Sequence, residues 1–151
     1  FLPPEPGRRA FAAFRSRAAE LEYRSVDANH TLAMATLMAR TPRRSLVVAF
    51  SDFADATTAE LLVENVAALS RRHVVIFVAM RDPALARIAA ATPDGIDDVA
   101  RAVTAGEMLR ERAAVMERLG RLGVTVIDAA PKAISTRLIS TWLDLKAREA
   151  I

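Results

Sequence analysis

Cysteine is absent from the 151 residues. Its absence excludes disulfides, thiolate metal sites and cysteine nucleophiles, and leaves the redox compartment open. No apolar run approaches the roughly 18 residues that a membrane span requires, and no stretch has the pattern of a secretory signal peptide. Glycine is scarce, at positions 7, 95, 106, 120 and 123 only. A dinucleotide or P-loop fold needs glycine in its first strand-to-helix turn, so that the backbone can approach phosphate. The corresponding turn here is SDFADATT (51–58), and it has none. No G-x-S-x-G elbow is present, and the two histidines, His30 and His73, do not form an H-E-x-x-H pair. Lysine occurs only at 132 and 146, so the basic side of the chain is almost all arginine. These absences argue against an enzyme, and no catalytic residue is assigned.

The length is that of one ordinary domain. A hydrophobic fraction of 52%, much of it alanine, suffices for a core of close helix-on-sheet packing. The sequence pI of about 10.1 can accompany nucleic-acid binding. The formal charge is only +3 and the arginines are interleaved with acids, so nucleic acid is not expected as a partner. The chain starts FLPPEPG, without an initiator Met, which suggests a fragment of a longer protein.

Three short apolar runs read as strands buried on both faces, the kind found in parallel sheets: 45–51, 74–80 and 124–128. Helical periodicity covers about 7–23, with Phe11, Phe14, Ala18 and Leu21 as a stripe, and 29–40, with Leu32, Ala35, Met38 and Ala39. A helix over about 57–70 opens with Thr57 and Glu60, the spacing of a capping box. Shorter or later helices are expected near 84–91, from about Ile96, over 105–122 with Gly123 as its C-terminal stop, and over 134–147. Strands alternating with helices imply right-handed crossovers and a parallel sheet.

In such a sheet the residues before each strand share one edge. These are Arg43 and Arg44, then Arg71, Arg72 and His73, then Arg121. The residues after each strand share the other edge: Ser51 and Asp52, then Arg81 and Asp82, then Asp128. The amino edge is thus expected to be basic and the carboxyl edge acidic. Ligands of open α/β sheets bind at the carboxyl edge, and an acidic edge favours cations. Against this, Asp also suits strand ends and helix caps for purely local reasons. The arginine pairs read either as a solvated edge or as a docking surface for an acidic partner. His73 reads as a surface histidine, and His30 as a cap or packing residue.

The segments RRSLVVAFSDFAD, ALSRRHVVIFVAMRDP, GEMLRERAAVMERLGRLGVTVIDAAP and LISTWLDLKAREAI, taken in this order, resemble the bacterial domain-of-unknown-function family 58. The resemblance implies a von Willebrand factor A-like fold, a mostly parallel sheet flanked by helices. It is expected to be partial here, the C-terminal half of the domain, with residues 1–151 as one unit. The larger fold often carries a metal-ion-dependent adhesion site made of a D-x-S-x-S loop, a Thr and an Asp at a strand end. By resemblance Asp52 matches that Asp and Thr31 could match the Thr, but D-x-S-x-S is nowhere in the chain. A hard cation needs about six oxygen ligands. Asp52 and Thr31 are therefore remnant candidates rather than a complete site, and Mg²⁺ or Mn²⁺ is expected to bind weakly at best.

In the full fold the 46–52 strand is central. Here one of its sides should be free, to be covered by residues 1–24 or by a second copy, and a homo-oligomer is expected. The reading is of a non-enzymatic protein-interaction module, cytoplasmic, within a parent protein that can be membrane-anchored as relatives can. The resemblance suggests a MoxR-type ATPase as partner. Interaction candidates are Asp52, Asp55, Arg71 and Arg72. The alternative is a cation-dependent ligand-binding domain whose metal site needs the missing N-terminal half.

Overall fold

The computed structural model describes residues 7–22, 25–26, 29–51 and 56–148. Its elements are α1 (Arg8–Ala19), α2 (His30–Arg40), β1 (Leu46–Phe50), α3 (Ala56–Ser70), β2 (Val74–Met80), α4 (Pro83–Ala90), α5 (Ile96–Arg121), β3 (Thr125–Ala129) and α6 (Pro131–Ala147). The strands form one parallel sheet in the order β1-β2-β3. This is the α/β class expected from the alternation, in a Rossmann-like three-layer arrangement. Among the described residues no helix is long and apolar enough to cross a membrane.

The pleat divides the apolar residues between two cores. Val47, Val75, Phe77, Ala79 and Val124 face one side, where Leu62, Val66 and Leu69 of α3, Val115 and Leu119 of α5 and Met34 of α2 close over them. Ile76, Val78, Ile127 and Ala129 face the other side and meet Ile134 and Leu138 of α6. The strands are apolar throughout because helices press on both faces of β2 and β3. α6 packs on β2 and β3 and not on β1, so β1 is the less covered strand.

Local chemistry sets several element ends. Asn29 Oδ1 accepts from Leu32 N at 2.8 Å and caps α2. Asp82 Oδ1 accepts from Ala84 N at 2.7 Å, with Pro83 as the first residue of α4. α5 stops in a Schellman turn. Val124 N donates to Leu119 O at 3.2 Å and Gly123 N to Gly120 O at 3.0 Å, with Gly123 at φ 79°. Nothing lies within 4 Å of a Cβ built there, so the requirement for glycine is the backbone angle and not space. Gly123→Ala is expected to destabilise the chain by about 1 kcal/mol, the left-handed penalty of an L residue. A urea melt of the variant that overlays the wild type would refute this.

Four expectations need correction. The apolar face of α2 is Met34, Leu37 and Met38, while Leu32 is exposed, because α2 packs along α3. The helix from Ile96 runs unbroken to Arg121, through Gly106, with α4 packed along it. Glu60 does not serve a capping box: its carboxylate is 2.6 Å from Arg118 of α5, a tertiary partner stronger than a backbone N–H. Residues of α1 do not cover the free side of β1. α1 packs against no other described element, and Phe11 stays 69% exposed.

Candidate functional site

At the carboxyl edge the end of β1 meets the start of α2. Ser51 Oγ lies 3.4 Å from His30 Nε2, half-buried. The backbone of Ser51 is held by its N–H on Val78 O at 3.2 Å. One residue beyond His30, Thr31 Oγ1 accepts from Asn65 Nδ2 at 2.9 Å, and the same Nδ2 donates to Leu61 O at 2.7 Å. Asn65 therefore pins α2 to α3. Thr31 of the remnant pair thus stands at this edge with its hydroxyl already engaged. Asp52 and Asp55 lie outside the described residues. Among the described residues no group of three or more His, Cys, Asp or Glu could hold a metal ion.

The end of β3 departs from the acidic edge expected from the strand ends. Asp128 is bracketed by arginine. Arg81 Nη2 lies 3.0 Å from Asp128 Oδ2, and Arg112 Nη2 lies 3.4 Å from Oδ1. Arg137 of α6 donates to the Asp128 carbonyl at 3.1 Å. Arg112 is the inner member, with its side chain only 13% exposed, and it also donates to Met80 O at 2.9 Å. These arginines come from the loop after β2, from α5 and from α6, so linear spacing gave no sign that they converge. A cation would meet guanidinium at this end of β3, not an open carboxylate. β2 lies between β1 and β3, so two strand spacings of about 4.8 Å separate Asp128 from the end of β1.

The amino edge is arginine-rich, as the strand entries imply. β1 and β2 pair with Leu46 opposite Val74 and Val47 opposite Val75. Val74 N donates to Ser45 O at 3.0 Å, so the pairing begins right at the entry loops. Continuing the same offset sets Arg44 beside Arg72 and Arg43 beside Arg71. All four are exposed. Arg72 Nη2 donates to Pro42 O at 3.2 Å and ties one entry loop to the other. His73, expected at the surface, is 4% exposed, and neither ring nitrogen has a hydrogen-bond partner. Its backbone N–H on Leu69 O at 2.9 Å holds it in the tight turn from α3 into β2. That turn, not the polarity of its arginine neighbours, sets its burial.

Other features carry less chemistry. Arg118 holds the Glu60 carboxyl below its ordinary value, first by their hydrogen bond and then by its charge. An open cleft of about 330 Å³ between α4 and α5 is lined by Leu85, Ile88, Ala100, Thr104 and Met108 with Arg101, and holds no nucleophile–base pair. Lys146 Nζ sits 5.3 Å from the centre of the Trp142 ring.

The model of the family described as "Protein of unknown function DUF58" matches residues 1–114 of this chain. No curated protein and no solved structure matches it.

Proposed function

We propose that this chain, which belongs to the family of proteins of unknown function DUF58, is a non-enzymatic protein-interaction module with a partial von Willebrand factor A-like fold. It associates with a second copy through β1. A MoxR-type ATPase is the further partner that the family resemblance suggests.

The observation that carries this reading is the free side of β1. Among the described residues β1 pairs only with β2. Val74 N on Ser45 O and Ser51 N on Val78 O fix which backbone groups face β2. By the alternation of a parallel ladder, those of Val47 and Ala49 also face β2, and those of Leu46, Val48 and Phe50 face outward. Phe50 is 59% exposed at the end of this row. An apolar strand with a row of open donors and acceptors is a template for another strand. A two-fold axis would pair two β1 strands antiparallel and join two sheets into one.

Val48→Pro removes one outward N–H and no ladder bond. The wild type is expected to sediment as a dimer at micromolar concentration, and the variant as a monomer with unchanged circular dichroism. A wild type that sediments as a monomer would remove self-association through β1.

A further inference from the structure

We propose that the arginine edge formed by the entries to β1 and β2 receives a short acidic segment of a partner protein. The proposal rests on the interaction-module reading and names the chemistry of its partner. Arg43, Arg44, Arg71 and Arg72 lie on two adjacent loops joined by the bond from Arg72 to Pro42 O. Strand spacing sets these loops about 4.8 Å apart. Like charges held at such a distance repel. Among the described residues none of the four is paired with a carboxylate; the nearby Glu117 is taken by Arg121 at 2.7 Å.

A purely local explanation falls short on magnitude. The C-terminal ends of α2 and α3 point to this edge and favour cations, but each supplies only about half a negative charge. Together they offset roughly one guanidinium of the four. The remaining charge is set on a rigid frame before any partner arrives, which lowers the ordering cost of binding.

Arginine rather than lysine at all four positions suits carboxylates, because the planar fork can donate two parallel N–H bonds to one carboxylate. The entry loops RTPRRS (40–45) and SRRH (70–73) contain no Phe, Tyr or Trp on which a base could stack. The patch is two loops wide, short for a nucleic-acid backbone and sufficient for a few consecutive Asp or Glu side chains.

The probe is fluorescein-labelled hexaglutamate, followed by anisotropy against the whole chain. Binding is expected to weaken about ten-fold or more, roughly 1.4 kcal/mol, in Arg43→Ala/Arg71→Ala, which leaves the Arg72–Pro42 bond intact. Arg81→Ala/Arg137→Ala, at the opposite edge, is expected to bind as the wild type does. Thermal melts of both pairs are expected to match the wild type; a large loss of stability in the first pair would assign these arginines a structural role instead. Equal weakening by the two pairs would reduce the effect to net charge and overturn the proposal. So would no binding of hexaglutamate, or tighter binding of a single-stranded oligonucleotide of equal charge. Peptide binding by a chain that sediments as a monomer would support this proposal while removing self-association, so the two readings fail separately.

Discussion

Phe77→Ala is expected to destabilise the chain by about 3–5 kcal/mol. Phe77 lies on the central strand and is fully buried, opposite Ala49 of β1 and Val126 of β3. It belongs to the core that α3 and α5 close, with Leu62, Val66, Leu69 and Leu119 all at zero exposure. Such a site cannot collapse, because its neighbours are held by two strands and two helices. The lost transfer energy and the unfilled cavity therefore add. Domains of this size have about 5–15 kcal/mol in total, so one substitution removes a large share. The thermal midpoint should fall on the order of 10 °C. Phe50→Ala is the control, since Phe50 is mostly exposed at the end of an edge strand. A Phe77→Ala melt within about 1 kcal/mol of wild type, or a larger effect from Phe50→Ala, would contradict the packing described.

Asp128→Ala is the second large effect, expected at about 1–3 kcal/mol. The substitution removes the carboxylate facing Arg112, whose side chain is mostly withdrawn from water, and facing Arg81, which is largely exposed. Asp128 is itself about a third exposed, so water screens part of the loss and the full value of a buried ion pair does not apply. Arg112 keeps its bond to Met80 O, which limits the damage further. A double-mutant cycle with Arg112→Met isolates the pair. Coupling of about 1 kcal/mol is expected with Arg112, and close to none with Arg81→Ala. If Asp128→Ala melts as the wild type does, Asp128 is an ordinary strand-end residue. The arginines around it are then surface groups, and the carboxyl edge reverts to the acidic surface implied by its sequence.

The corrections share one physical origin. Glu60 at cap spacing from Thr57 satisfies a local rule, but Arg118 comes within 2.6 Å from a helix 58 residues away. His73 follows two arginines, yet the turn from α3 into β2 buries it. Asp128 closes an apolar strand and reads as an open carboxylate until Arg81, Arg112 and Arg137 arrive from three other segments. Phe11 and Phe14 form a good helical stripe, but periodicity does not say whether anything lies against it, and in α1 nothing described does. Charge and polarity along the chain are local quantities, whereas pairing and burial depend on which segments meet.

The sequence by itself determined the three parallel strands, most helix limits and the glycine stop of α5. Those follow from short apolar runs, periodicity and backbone angles, which are properties of neighbouring residues. It also determined the basic amino edge, because in a parallel sheet every strand entry lies on the same side. Only the tertiary structure decided that β1 is the edge strand and β2 the central one, that α6 leaves β1 less covered, and that arginine neutralises the end of β3. Strand order and long-range pairing come from how helices pack on the sheet, and no local spacing encodes them.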